Sequence, residues 1–162
     1  MTAACVNLST DSPEQTRRMA AAFAAACRPN DVIGLRGTLG AGKTCFVQGL
    51  AKGLGIGDRV VSPTFVLLRR CDGRLTLYHF DAYRLRGPAE MEGIGCAETF
   101  EAGGVSVIEW ADRVAGCLPA EHFLLALRVT GEQQREFALT ARGKACTARL
   151  DGLRRALSAW AL

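Results

Sequence analysis

The sequence lacks any long hydrophobic run. Its longest strongly apolar stretch, residues 19–27, is mostly alanine and lies between Arg18 and Arg28. A helix that crosses a bilayer needs about 20 apolar residues, so we expect no membrane span. The first residues also lack the basic segment and apolar core of a secretory signal. We therefore expect a cytoplasmic protein without a membrane partner.

Histidine is scarce and the cysteines are scattered, which argues against a structural zinc site. The chain has two histidines and seven cysteines, and no two cysteines have C-x-x-C spacing. Most of the cysteines lie in apolar segments, as buried thiols do, and the expected compartment is reducing. Because His79 and His122 lie in strand-like segments, the sequence favours packed or surface positions for them over catalytic ones.

Aromatic residues make up only 7% of the chain and charged residues 22%, while hydrophobic residues reach 49%. This balance excludes a wholly disordered protein. A length of 162 residues is that of one ordinary domain with a real core, and we predict a single domain over residues 1–162. The net charge of +4 permits contact with nucleic acid without arguing for it, and we expect no DNA partner.

The predicted elements change character along the chain. The first half alternates strand and helix, and the second half is rich in hairpins. In the first half we predict strands at 6–9 and 32–36 and helices over 13–27 and 43–54. In the second half we predict strands at 64–70, 74–80 and 105–108, a short helix at 88–91, a hairpin of 123–129 with 136–140, and a closing helix over 144–161.

A glycine-rich loop follows the second strand and matches G-x-x-x-x-G-K-[ST] at every fixed position. Glycines let such a loop curl so that its backbone N–H groups meet at one spot, where a helix begins and adds its positive dipole end. A lysine then reaches the outer phosphates and a hydroxyl ligates Mg²⁺. The predicted nucleotide-binding residues are Gly37, Thr38, Leu39, Gly40, Ala41, Gly42, Lys43 and Thr44.

Two carboxylates end hydrophobic strands, and a P-loop enzyme needs one of this kind near its metal. Asp81 ends one strand and Glu109 ends another. The strand before Glu109 is the more uniformly apolar, as a central strand should be, so we assign Glu109 to Mg²⁺. Asp81 is then available to position or activate the attacking water. Lys43, Asp81 and Glu109 form the predicted catalytic set.

Three further segments have a functional and a structural interpretation. Ser62 and Thr64 follow the P-loop helix, where switch loops sense a γ-phosphate through a hydroxyl, but Pro63 also suits a plain loop. Trp110 follows Glu109 and is either a lid on the core or a contact for a partner or base. Arg135, in the turn of the last hairpin, either reaches the base or the ribose or is an ordinary exposed turn arginine.

The chain has no N-K-x-D or T-K-x-D motif, which GTPases use to read guanine, so ATP with Mg²⁺ is the expected ligand. Together, these features predict an α/β protein with a three-layer P-loop NTPase fold and a mixed parallel and antiparallel central sheet.

Four strings, taken together, resemble the TsaE (YjeE) family of bacterial P-loop ATPases. They are GTLGAGKT at 37–44, VSPTF at 61–65, HFDAYRL at 79–85 and IEW at 108–110. They occur in the family's order and spacing. The resemblance extends from Thr16 to the last hairpin, and the second pair of strings is far more specific than a P-loop alone.

The resemblance implies a role in making N6-threonylcarbamoyladenosine (t6A) beside the anticodon of tRNAs that read ANN codons. Family members act with TsaC, which makes the activated threonylcarbamoyl-AMP, and with TsaB and TsaD, of which TsaD transfers the group. The TsaE-like subunit hydrolyses ATP weakly alone and more rapidly on the TsaB–TsaD pair. Contact with tRNA is expected only through that complex.

The resemblance also implies roles for individual residues. Lys43 and Thr44 match the family's phosphate and metal residues, and Glu109 matches its metal carboxylate. Asp81 and Trp110 match positions that the family uses, which moves Trp110 from a core lid towards a functional contact. The segment 62–65 matches the switch-like segment.

The sequence departs from the family pattern at three positions. Thr38 stands where the family usually has Asp, Cys45 where it has Thr, and Ala82 where it has Leu. Thr38 removes a charge near the nucleotide, so the affinity for nucleotide or the hydrolysis rate is expected to differ. Cys45 follows Thr44 directly, and its oxidation or alkylation is expected to block nucleotide binding.

Two other functions fit a P-loop of this kind. One is a small-molecule kinase, although such enzymes usually have a regular βα succession and an arginine-bearing lid. The other is a nucleotide-gated assembly factor, in which hydrolysis is incidental and ATP decides which surface is exposed.

Overall fold

A computed structural model describes residues 4–57 and 67–162 of the chain. Fifteen helices and strands lie in these two ranges. In chain order they are β1 (Cys5–Thr10), α1 (Pro13–Ala25), β2 (Val32–Arg36), α2 (Lys43–Gly53), β3 (Leu68–Cys71), β4 (Leu77–Asp81), α3 (Pro88–Gly93), α4 (Cys96–Phe100), β5 (Val105–Glu109), the 3-10 helix η1 (Ala111–Cys117), β6 (His122–Val129), β7 (Arg135–Arg142), α5 (Lys144–Ala148), α6 (Leu150–Ala156) and the 3-10 helix η2 (Ser158–Trp160).

The described strands form one mixed sheet in the order β1-β7-β6-β2-β5-β4-β3. The central pairs β4–β5, β5–β2 and β2–β6 are parallel, and the pairs nearer the edges are antiparallel. Parallel strands end at the same edge of a sheet, so the carboxyl ends of β2, β4 and β5 lie together. The predicted mixed sheet is confirmed.

Helices and side chains cover both faces of the sheet. Alternation along β5 directs Val105 and Val107 into one apolar cluster and Ile108 into another. The first cluster includes α1 and α2, where Phe23 packs edge-on against Phe46 with ring centroids 6.0 Å apart. The second cluster includes residues of α3, α4 and η1. The two clusters produce the three layers that the sequence predicts.

Several helices and strands of the structure lie at the positions predicted from the sequence. The strand over 32–36 matches β2, the P-loop helix matches α2 to within one residue, and the last hairpin is β6 paired antiparallel with β7. β3 and β4 confirm the other antiparallel hairpin. The strand predicted over 64–70 lies partly outside the described residues, and its described part runs from Leu68 to Cys71.

The predicted closing helix over 144–161 is wrong. The segment forms α5, α6 and η2, with a break at Arg149. At the break, the backbone N–H of Arg149 bonds to Cys146 O three residues back, which tightens the turn. The Arg149 side chain there reaches buried Asp31, with Nη1 2.6 Å from Oδ1. This distant partner cannot be inferred from helical periodicity.

The short helices α4 and η1 were not predicted either, and their lengths of five and seven residues are too short for a clear period. Among the described residues, no helix has the length and apolar character that a membrane span requires.

Candidate functional site

The P-loop joins the end of β2 to the start of α2. Its turn requires glycine at two positions, since Gly40 and Gly42 have φ angles of 81° and 104°, in the left-handed region. Within the loop, the backbone N–H of Ala41 donates to Thr38 O at 3.0 Å. The loop ends at the N-terminus of an eleven-residue helix, where unpaired N–H groups and the helix dipole favour an anion. Leu39 is 80% exposed, so this side of the loop faces solvent.

Lys43 is the first residue of α2 and is buried beside the loop. Its Nζ donates to Gly37 O at 2.6 Å and to Thr38 O at 3.0 Å. The same ammonium lies 3.9 Å from the ring centroid of Trp110, within cation–π range. The backbone of the loop and the indole therefore hold this charge at the mouth of the P-loop.

The charges of three carboxylates influence the Lys43 ammonium. Burial lowers the pKa of Lys43, and the charges of Glu109, Asp112 and Asp81 act in the opposite direction. A site that contains both a buried cation and a buried carboxylate suits a phosphate bound together with a metal ion, because the phosphate is attracted to Lys43 and the metal ion to Glu109. The structure thus brings together all three residues of the predicted catalytic set.

Glu109 lies at the centre of the site, at the end of β5, and is only 3% exposed. Its Oε1 accepts a hydrogen bond from Thr44 Oγ1 at 2.9 Å, and its Oε2 lies 2.5 Å from His79 Nε2. The predicted metal pair, Thr44 and Glu109, is therefore in direct contact across 65 residues of sequence.

These oxygens fit Mg²⁺, which prefers oxygen donors and is usually bound by one or two carboxylates together with water and substrate phosphates. In the described ranges, no cluster of three or more His, Cys, Asp or Glu side chains forms a complete metal cage. The residues that are present would complete a coordination shell only together with phosphates and water.

Asp81 lies beside Glu109 on the neighbouring strand. The two residues are partners in the parallel register of β4 and β5. Asp81 Oδ1 accepts the backbone N–H of Tyr83 at 3.0 Å, and the side chain is half-buried. A carboxylate at this place is close to the P-loop and remains accessible from solvent, as the positioning of a water requires.

Trp110 is part of an aromatic cluster at the rim of the site. Its backbone is left-handed, with φ 61° and ψ 41°, an uncommon conformation for a large side chain. Its ring centroid lies 5.0 Å from that of Tyr83, and the Arg113 guanidinium lies 5.2 Å from Tyr83 and 5.8 Å from Trp110. Tyr83 is 46% exposed. Trp110 is partly buried and packs against the second apolar cluster, as a core lid would, and the same ring also touches Lys43.

A cavity of about 310 Å³ adjoins the other side of the P-loop. Arg135 Nη2 donates to Gly40 O at 3.3 Å, which ties the turn of the last hairpin to the loop. The prediction that Arg135 could approach the nucleotide agrees with this position. The cavity is lined by Pro13, Thr16, Gly42, Cys45, Glu132, Gln133 and Arg135.

Comparison with known proteins places the chain in a family. The family model described as "Threonylcarbamoyl adenosine biosynthesis protein TsaE" matches residues 10–137. The chain belongs to the TsaE family. It is 43% identical over 135 residues to the tRNA threonylcarbamoyladenosine biosynthesis protein TsaE of Bacillus subtilis, which covers 83% of this chain and 84% of that one. It is 44% identical over 128 residues to the protein of the same name from Treponema pallidum, covering 79% and 95%.

The fold is that of a solved structure with related sequence. The crystal structure of Bacillus subtilis YdiB superposes on the chain with a TM-score of 0.83 at 36% identity, covering 96% of this chain and 97% of that one. The similarity to the TsaE family and the predicted fold class are both confirmed. The chain is thus a member of a family of tRNA threonylcarbamoyladenosine biosynthesis proteins.

Sequence reasoning about this TsaE family member missed one buried residue of the site. His79 is 0% exposed and contacts Glu109, so the expected packed position is correct but its functional partner was overlooked. The signal was present, since His79 and Asp81 are two residues apart on one strand and must share a face. Asp112, Tyr83 and Arg113 were also missed, and they have no such pattern. The switch residues Ser62 and Thr64 lie outside the described residues.

Proposed function

We propose that the chain binds ATP with Mg²⁺ at the P-loop and hydrolyses it to support formation of t6A beside the anticodon of tRNAs that read ANN codons. Hydrolysis is slow in the isolated chain and is stimulated on a complex of TsaB and TsaD. Contact with tRNA is indirect and passes through that complex. The chain acts in the cytoplasm.

One observation carries the ATPase part of this proposal. Thr44 and Glu109 come from different parts of the sequence and meet at 2.9 Å beside the P-loop and buried Lys43. A loop that only resembled a phosphate cradle by chance would have no reason to lie beside a buried carboxylate and a hydroxyl that suit Mg²⁺.

Each residue of the site has a separate role in phosphoryl transfer. Lys43 and the N-terminus of α2 bind the phosphates, and Thr44 with Glu109 would hold Mg²⁺. When bound, Mg²⁺ neutralises charge that develops on the phosphate oxygens. Asp81 accepts a hydrogen bond from a water and orients it towards the terminal phosphate. In hydrolysis the water oxygen bonds to the γ-phosphorus while the bond from that phosphorus to the β–γ bridging oxygen breaks, and the proton of the water passes to solvent, leaving ADP and inorganic phosphate.

The cavity beside Arg135 is suited to the nucleobase. It adjoins Gly42 of the P-loop, and its volume of about 310 Å³ exceeds that of a purine ring. Its polar lining of Thr16, Glu132 and Gln133 offers hydrogen-bond partners, and the guanine-reading motif is missing from the sequence. These features support ATP as the nucleotide.

Binding and hydrolysis can be separated by variants. We expect Lys43→Ala to weaken ATP binding about 10- to 100-fold, because a charge-assisted contact with phosphate is lost.

Asp81→Asn is expected to keep ATP binding and to slow phosphate release about 100-fold. Calorimetry and a phosphate-release assay measure the two effects. Lys52→Ala, at the exposed far end of the same helix, is the matched control. Equal ATP affinity for the Lys43 and Lys52 variants would contradict the assignment of the P-loop as the phosphate-binding site.

A further inference from the structure

His79 is a buried polar residue that the proposed chemistry leaves unused. It lies in β4 with no exposed surface, and its Nε2 is 2.5 Å from Glu109 Oε2. Leu77 belongs to the apolar cluster on the α1–α2 side, so alternation places His79 and Asp81 on that same side of the sheet. Among the described residues, no hydrogen-bond partner is present for His79 Nδ1. The ring is therefore directed to Glu109 by its other nitrogen.

The contact defines how the Glu109 carboxylate is oriented. Its two oxygens have different partners, Thr44 on Oε1 and His79 on Oε2. The terminal torsion of a glutamate has a broad, roughly two-fold preference, so one hydrogen bond alone leaves the plane of the carboxylate free to turn. A second bond, to the other oxygen, fixes which oxygen points towards Thr44.

We propose that His79 is a positioning residue: its Nε2–H donates to Glu109 Oε2 and thereby aims Oε1 at the cation that accompanies the nucleotide. This inference rests on the proposed function and deepens it. Histidines and carboxylates that hold a metal ligand in this way change metal affinity by about 10- to 100-fold when they are removed. His79 itself does not touch the nucleotide or the metal in this proposal.

The donor role of each ring nitrogen follows from its partner. A carboxylate accepts hydrogen bonds, so in this proposal Nε2 of His79 carries the proton and donates it to Glu109 Oε2. The other histidine of the chain, His122, has its Nδ1 2.6 Å from the backbone oxygen of Pro119, and a carbonyl oxygen also only accepts. The proposal therefore places a proton on Nε2 of His79, and the contact with Pro119 places one on Nδ1 of His122.

NMR of the chain without nucleotide tests the hydrogen bond directly. With ¹⁵N-labelled histidine, only two imidazole rings contribute to the spectrum. We expect a slowly exchanging Nε2–H signal from His79 that disappears in His79→Gln and shifts in Glu109→Gln, while His122→Gln leaves it unchanged. If His79 carries its only proton on Nδ1, or if Glu109→Gln leaves the Nε2–H signal in place, the proposal is wrong.

Magnesium dependence tests the positioning role. We expect His79→Leu, which keeps bulk but lacks a donor, to raise the Mg²⁺ concentration for half-maximal stimulation of ATP binding about 10-fold. His79→Gln offers an amide N–H near the place of Nε2 and should recover most of this loss. Nucleotide binding without Mg²⁺ should be equal in both variants. If His79→Leu folds and has the wild-type Mg²⁺ dependence, His79 is only a packing residue.

The two experiments keep failure of this inference apart from failure of the proposed function. If the wild-type chain bound no ATP, the proposed function would fail, and the NMR spectrum would still decide whether His79 donates to Glu109. If ATP binds and the His79 signal does not respond to Glu109, the positioning role alone is overturned.

Discussion

Residues around the P-loop act through their neighbours. Glu109 is useful because Thr44 and His79 bond to its two oxygens, and Lys43 is held by backbone carbonyls and by the Trp110 ring. Each side chain therefore occupies a fixed place before any ligand arrives, which reduces the entropy that ligand binding must overcome.

Cys45 permits a chemical test of the proposed nucleobase cavity. The thiol is half-buried, lines the cavity and donates to Pro13 O at 3.2 Å. Burial raises the pKa of Cys45, and Arg17 and Arg135 act in the opposite direction. Because the thiolate is the reactive form, we expect iodoacetamide to modify Cys45 slowly at neutral pH and faster as the pH rises. The adduct should occupy the cavity and abolish ATP binding, and bound ATP should protect the thiol.

Peptide mass spectrometry identifies the modified cysteine, and calorimetry measures the remaining ATP affinity. Cys45→Ala is the control, since alkylation of that variant at other cysteines should leave its ATP affinity unchanged. The cavity assignment is contradicted if wild-type protein that is fully alkylated at Cys45 binds ATP as tightly as untreated protein.

The sequence predicts the role of an individual residue when that residue belongs to a local motif. The contact of Thr44 with Glu109 could be expected, because a P-loop hydroxyl and a strand-end carboxylate are both expected to hold the same Mg²⁺ ion. The contact of Trp110 with Lys43 could not, because it depends on the left-handed backbone at Trp110. The sequence indicates that His79 shares a face with Asp81, but the bond from His79 to Glu109 also depends on β4 and β5 being neighbours in register.

Among the helices, α1 and α2 approach each other closely through glycine. A Cβ atom added at Gly49 would lie against the backbone oxygen of Arg17 and 2.8 Å from the Ala20 Cβ atom. One added at Gly53 would lie 2.6 Å from the Ala24 Cβ atom. The absence of side chains at these two positions lets α2 lie against α1, which sets the direction of the helix that begins at the P-loop.

We predict that Gly49→Ala destabilises the protein by about 1–3 kcal/mol, because the added methyl group overpacks the helix contact. This loss exceeds the roughly 1 kcal/mol by which alanine favours a helix over glycine. Gly152→Ala is the matched control in α6, where an added Cβ meets nothing within 4 Å, and it should stabilise by about 0.5–1 kcal/mol. Urea unfolding measures both changes. Equal effects of the two substitutions would show that α1 and α2 do not need the close approach.

Elements with strong local signals were predictable and the others were not. The P-loop helix has a glycine-rich start and a clear apolar face, and the hairpins have turn residues between alternating strands. The C-terminal segment has a helical composition, but its break at Arg149 coincides with an ion pair to Asp31, 118 residues away. Such a constraint belongs to the tertiary structure and leaves no periodic trace.

The topology of the whole molecule explains why the site is where it is. β2 lies between β5 and β6, and β4 lies on the other side of β5. The P-loop, Glu109 and Asp81 all follow or end strands of this parallel centre, so their side chains meet at one edge of the sheet. The Arg149 guanidinium bonds Asp31, directly before β2, and Ala26 O after α1. The C-terminal helices thus support the strand that leads into the P-loop.

We have proposed that this chain uses ATP to support threonylcarbamoyl transfer to tRNA. The most direct measurement is phosphate release from Mg-ATP by the purified chain, alone and with a cognate TsaB–TsaD pair and tRNA. We predict slow release alone and clear stimulation by the pair, with the stimulation lost in Glu109→Gln and retained in Lys52→Ala. A cognate pair that neither binds the chain nor accelerates phosphate release would contradict the proposed function. Phosphate that appears on a small-molecule acceptor would identify a kinase instead.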